Sequence, residues 1–223
     1  MRARTVDLSK YENSENYPNY FNEIITPENI FQFEDKFRTS IIKKQPYEVT
    51  GEVCFWKNFG TYQSRNRLTT RMLIYLSDVE NWNRFTDTLT SLNDTLTYND
   101  FNEMRKTINQ PKGFATPITF LSFFNPVKFP MIDKNIAYWW RNNKAEFGYD
   151  NENIFSQRKA DGWIQAITIK KSKQNWNAYL DWTNFCQNYS KKLTKITGID
   201  ARARDVEMTI WEAFKKGINL DII

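Results

Sequence analysis

At 223 residues, 40% of them hydrophobic, the chain is long enough for one large domain or two small lobes sharing a cleft, and too apolar to be a disordered tail. Histidine is absent, which excludes His triads, His general bases and His metal ligands together. The net charge of +5 is uneven: residues 1–155 hold 19 Lys+Arg against 19 Asp+Glu, whereas 156–216 hold 12 against 6.

The excess positive charge therefore falls on Lys170, Lys171, Lys173, Lys191, Lys192, Lys195, Arg202 and Arg204. Such a one-sided basic face suits phosphate neutralisation, and ordinary solvated lysines satisfy the same count. Cys54 and Cys186 match no metal-ligand spacing and read as small buried residues. The longest apolar run, ITFLSFF at 118–124, falls well short of the roughly 18 residues of a membrane span. The start, MRARTVDLSK, lacks the apolar stretch of a signal peptide. A cytoplasmic protein with no membrane partner, no metal and no cofactor is the expectation.

In chain order, Thr26-Pro27-Glu28 reads as an N-cap, a first-position proline and a first-turn acid, with Ile30, Phe33, Phe37 and Ile41 following at helical spacing. A second helix is expected over 67–76 with Leu68, Met72 and Tyr75 on one side. Asp100 and Glu103 read as the capping pair of a short helix carrying Met104 and Ile108, ended by Pro111-Lys112-Gly113. The segment 116–124 is apolar all round, which predicts a central buried helix stopped at Asn125-Pro126.

An extended piece follows, Lys128-Phe129-Pro130-Met131-Ile132, and Asp133 then opens a helix with Ile136, Ala137 and Trp140 inward. Polarity without period predicts a loop around 148–162, and 163–169 reads as strand or helix equally well. A long helix over 175–197 carries Trp176, Tyr179, Leu180, Thr183, Cys186, Tyr189, Leu193 and Ile196 in register and stops at Gly198. A last helix, 204–216, stops at Gly217. The fold class is mainly α, with residues 1–45 an N-terminal segment whose one helix packs on a helical domain of 46–223.

The order of elements around Asp133 carries the functional reading. A glycine-containing turn before a helix, Lys112-Gly113-Phe114-Ala115, offers unpaired backbone N–H groups that can bind a phosphate. An aspartate at the next helix start is held by that helix's N–H groups near its positive dipole end. A carboxylate so fixed can stabilise an oxocarbenium-like sugar or orient an attacking water. Taken on spacing alone, Asp133 is equally an ordinary N-cap.

The stretch GFATPITFLSFFNPVKFPMIDKNIAYWW (113–140) resembles the core of the helix-hairpin-helix, endonuclease III-like DNA glycosylase superfamily. Phe129-Pro130-Met131-Ile132-Asp133 looks like the ending that supplies that superfamily's catalytic aspartate. A less characterised branch is similar in further blocks: Trp56-Lys57 near the start, and Arg204-Asp205-Val206-Glu207 with Ile210-Trp211 near the end. The resemblance covers about 50–216 in order. It implies two helical lobes around a cleft, duplex DNA with or without damage as partner, and Asp133 as catalytic carboxylate.

The chain departs from the family where the hairpin's second glycine would stand, at Ala115, and has no lysine between 114 and 124 where bifunctional members keep a nucleophile. The family's cysteine cluster is also missing. The resemblance therefore implies a monofunctional enzyme that activates water rather than forming a Schiff base. The expected DNA contacts are Lys112, Gly113, Phe114 and Ala115 in the turn, and Lys191, Lys192, Lys195 and Arg204 on the basic face. Trp56, Tyr138 and Trp139 are candidates to stack a flipped base, although aromatics of this size also build cores. Two other functions fit the same sequence: a non-catalytic nucleic-acid-binding module, and a partner-binding helical protein docking through the acidic residues Glu12, Glu15 and Glu23.

Overall fold

The computed structural model describes residues 30–45, 50, 53, 70–92, 96–109, 114–157, 159–160, 163–164, 167 and 171–217. These residues are mainly helical. The chain falls into two compact units, Met1–Pro111 and Lys112–Ile223. The Thr26-Pro27-Glu28 cap lies outside the described residues.

In the first unit, α1 (Ile30–Ile42) buries Ile30, Phe33, Phe37 and Ile41, the expected stripe, and packs against α2 (Val79–Ser91). Between them, the helical segment 70–76 buries Met72, Leu73 and Leu76, while Tyr75 is only half-buried. Helix α2 has no counterpart among the sequence expectations. It starts at Asp78, whose Oδ1 accepts from the Glu80 and Asn81 N–H groups, each at 3.0 Å, and it buries Trp82, Phe85 and Leu89. Helix α3 (Tyr98–Thr107) corrects the expected cap. Thr97 is the N-cap, and Asp100 sits three residues on, where its carboxylate accepts from the Thr97 N–H at 2.7 Å. Asp100 thus closes the capping box from inside the helix.

In the second unit, α4 (Ala115–Phe124) is buried continuously from Pro117 to Phe123, as its all-round hydrophobicity requires. An extended linker over 129–133 leads to α5 (Lys134–Asn143), which buries Ile136, Ala137 and Trp140. A single 3₁₀ turn, Lys144–Phe147, follows. The loop after it is fixed by Lys144, which is buried and donates to the Asn151 backbone and side-chain oxygens and to the Asn153 carbonyl. Burial pulls this ammonium below the usual lysine range, against the pull of Asp181 and Asp150.

The expected strand-like segment is represented by a two-residue antiparallel ladder, with Lys159 opposite Ile164 and Ala160 opposite Trp163. Helix α6 (Ser172–Thr197) and helix α7 (Ala203–Lys216) pack on each other, and α7 also packs on α5. Both helices end on a left-handed glycine, Gly198 at φ 71° and Gly217 at φ 65°, a conformation that costs a residue with a Cβ far more.

Helix α6 buries a wider arc than its predicted stripe. Trp182 and Phe185 join Trp176, Tyr179 and Cys186 in the core, whereas Ile196 is 71% exposed. Phe185 is the hub of an aromatic cluster, its ring centre 4.9 Å from Phe147 and 5.0 Å from Trp140. Offset and tilted pairs of this kind add to the area they bury.

Candidate functional site

The linker that ends at Asp133 is held from one face of α6. Tyr179 Oη donates to the Pro130 carbonyl at 3.0 Å, Trp182 Nε1 to the Met131 carbonyl at 3.0 Å, and Gln187 Nε2 to the Lys128 carbonyl at 2.9 Å. Each is an aromatic or amide side chain whose polar tip reaches a backbone group with no ladder partner of its own in an extended segment. Upstream, the first N–H groups of α7 are satisfied by the same segment, from Ala203 to the Val127 carbonyl and from Arg204 to the Pro126 carbonyl. Downstream, Gln157 Nε2 donates to the Lys134 carbonyl at 2.6 Å. The backbone on both sides of Asp133 is therefore anchored by residues distant in sequence.

Asp133 itself is the N-cap of α5, in the extended conformation that a cap requires. Its Oδ1 accepts from the Asn135 and Ile136 N–H groups, both at 2.8 Å. Its Oδ2 accepts from the indole Nε1 of Trp211 on α7 at 3.0 Å. Both oxygens therefore act as acceptors. A carboxylate offers about four lone-pair positions, and protein donors occupy three here, while the residue keeps part of its surface in solvent. The face of the Trp211 ring carries the Lys215 ammonium, 4.6 Å from the ring centre, and Tyr138 lies beside Phe214 at 6.4 Å. Asp133, Trp211 and Lys215 form one constellation, built from the start of α5 and the last turns of α7.

The other expected site residues separate into distinct groups. Trp56, Lys57, Lys112 and Gly113 lie outside the described residues. Phe114 buries its ring edge-on against Phe155 at 6.3 Å, and it precedes α4 without any side-chain cap. Ala115 is half-buried as the first residue of that helix. Lys191, Lys192 and Lys195 are exposed on α6, Lys192 lying 5.8 Å over the Tyr189 ring.

Arg204 is a correction. Its side chain is 3% exposed and paired with Glu207 one turn along α7, because the inward face of α7 runs through positions 203, 206, 207 and 210. It is not part of an exposed basic face. Arg202 is likewise spent, in a two-pronged pair with Asp205. Trp139 is half-buried, and its ring packs against Phe147, Trp182 and Phe185 at 6.0–6.4 Å as part of the aromatic cluster. Tyr138 is half-buried as well, with Phe214 beside it.

Sequence reasoning did not find Trp211 or Lys215 as neighbours of Asp133. The signal available was the Ile210-Trp211 pair itself, with Lys215 four residues on, on the same helix face. Cys186 is fully buried, and burial alone pushes its thiol well above the ordinary range, so it is no nucleophile in the folded state.

Among the described residues no group of three or more Cys, Asp or Glu side chains could hold a metal ion. Among them, too, no helix is long and apolar enough to cross a membrane. Comparison with protein-family models, with curated proteins and with solved structures finds no match to this chain.

Proposed function

We propose that this protein is a monofunctional, helix-hairpin-helix-type DNA glycosylase that removes a base by water attack, with Asp133 as its catalytic carboxylate. The observation that carries the reading is the state of Asp133: a partly exposed carboxylate fixed by three N–H donors, at the end of an anchored linker that follows a buried helix. Because the donors are already in place, such a group needs no reorganisation when positive charge develops beside it. As the C1′–N bond breaks, the base departs with the bonding electrons and takes up a proton. The carboxylate offsets the growing charge on the sugar, and the oxygen of a water held at its remaining lone pair bonds to C1′. The water's proton leaves to Asp133 or to bulk solvent. The absence of lysine from α4 supports water rather than an amine as the nucleophile.

The test is base release from a panel of lesion-containing duplexes by the wild type and by Asp133→Asn. The amide keeps an oxygen for the two helix N–H groups and removes the charge together with the acceptor of the Trp211 N–H. Release should fall by at least about 100-fold, the size of a lost electrostatic or proton-transfer contribution, with duplex affinity within about threefold. Equal release by the variant would eliminate Asp133 as the catalytic group.

One observation favours a second reading. With three of its lone-pair positions taken by the protein, Asp133 is also a complete structural joint between α5 and α7. In that case the chain is a nucleic-acid-binding module without chemistry, and it binds duplex DNA in a salt-dependent way while releasing no base.

A further inference from the structure

We infer that Trp211 and Lys215 complete the Asp133 site, Trp211 as the positioning residue that sets the carboxylate and Lys215 as the cation that anchors a phosphate of the nucleotide brought to it. This rests on the reading of Asp133 as the catalytic group and adds to it the partners supplied by α7. An N-cap needs only one carboxylate oxygen, and Oδ1 performs that task alone. The second oxygen is tied instead to an indole N–H from another helix, at 3.0 Å. That bond fixes rotation about the Cβ–Cγ axis, and so it fixes where the remaining lone pair points.

A phenyl ring in place of the indole would keep an aromatic face there, though a smaller one, yet only tryptophan among the apolar rings brings a donor without an acceptor. The ring then does a second thing. Lys215 rests on its face at 4.6 Å, within the range at which the ring quadrupole holds an ammonium. The same cation draws density from the ring and strengthens the Nε1–H donor. Neighbouring charges on α7 do not claim it in the same way: Lys216 takes Glu212 at 2.7 Å, and Lys215 has no ion pair among the described residues. The result is a fixed carboxylate with a cation on the far side of one indole. Those are the two charges needed by a substrate with a developing sugar cation and a flanking phosphodiester.

The experiment uses the full chain, with Trp211→Phe, Lys215→Gln and Lys215→Arg beside the wild type, read in single-turnover base release and in duplex binding across salt. Trp211→Phe should lower the release rate at least about tenfold with affinity changed less than about threefold, as for a lost positioning contact. Lys215→Gln should weaken duplex binding and flatten the dependence of log K on log salt by about one phosphate contact, a loss that Lys215→Arg restores. Variants that match an active wild type in rate, affinity and salt slope would overturn this assignment and leave the Asp133 reading standing. A wild type that neither binds duplex nor releases a base overturns both. If the wild type binds without releasing, binding decides: the Lys215→Gln slope must still flatten and the Trp211 indole N–H resonance must move when duplex is added, and failure of either overturns it.

Discussion

At the residue scale, Asp133 serves folding and the proposed chemistry through different atoms. Oδ1 closes the start of α5, and Oδ2 meets α7 through Trp211. Removing the carboxylate should cost both contacts, whereas an amide keeps the cap and loses the α7 contact. Asp133→Ala is expected to lower unfolding free energy by about 1–2 kcal/mol, the ordinary cost of a lost N-cap with a further donor left unmet. Asp133→Asn should fall between wild type and Ala, since an asparagine oxygen caps equally well while its NH2 faces the Trp211 N–H, donor against donor. Chemical denaturation of the two variants checks this, and an Asn loss as large as the Ala loss would show that the Trp211 contact outweighs the cap. The cap was legible in the sequence because its donors lie two and three residues on. Trp211 was not, because it stands 78 residues away and no local period links it to Asp133. Arg204 fails for the opposite reason: its charge was legible, but the face of α7 it occupies was decided by packing.

At the scale of elements, the linker before Asp133 depends on α6. Tyr179 and Trp182 present their donors to two carbonyls of the extended segment, and Gln187 to the Lys128 carbonyl in the turn before it. Tyr179 is fully buried, and burial drives its phenol far above the ordinary tyrosine range, against smaller opposing pulls from the nearby Thr183 and Ser122 hydroxyls. The hydroxyl is therefore a permanent donor. Tyr179→Phe keeps the ring and removes the donor that the Pro130 carbonyl receives, so unfolding free energy should fall by about 1–3 kcal/mol with little change in denaturant slope. A loss below about 0.5 kcal/mol would mean that the carbonyl finds another donor. Helices with a clear apolar period, α1 and α5, were readable from spacing alone. Helix α2 was not: Asn, Thr and Asp fill the positions between Trp82, Phe85 and Leu89, and those residues favour caps and turns over helix interiors. On α6 the period was right and the reach was wrong. Its last turn leaves Ile196 in solvent, so the stripe outlasts the core that covers it.

At the scale of the whole molecule, the charge asymmetry survives, with fewer members. Arg202 and Arg204 are spent within α7, and Lys216 is held by Glu212. Lys191, Lys192 and Lys195 stay exposed, with no ion pair among the described residues. Lys191 and Lys195 stand four apart on one helix face, where like charges repel by a few tenths of a kcal/mol. Their position near the helix C-terminus offsets part of that cost, since cations are favoured there. A surface kept only for solubility gains nothing from concentrating these charges, whereas a phosphate backbone does. The triple variant Lys191→Gln, Lys192→Gln, Lys195→Gln should therefore leave stability within about 0.5 kcal/mol of wild type, as surface changes usually do. Its effect should appear in duplex binding measured from low to moderate salt. Each lost phosphate contact lowers the slope of log K against log salt by about 0.9, so the triple variant should lower it by up to about three times that amount. The Asp133→Asn variant should leave the same slope untouched, because it changes no phosphate contact. A triple variant that binds with the wild-type slope would remove α6 from the interface, and the phosphate contacts would then have to come from α7 and Lys215.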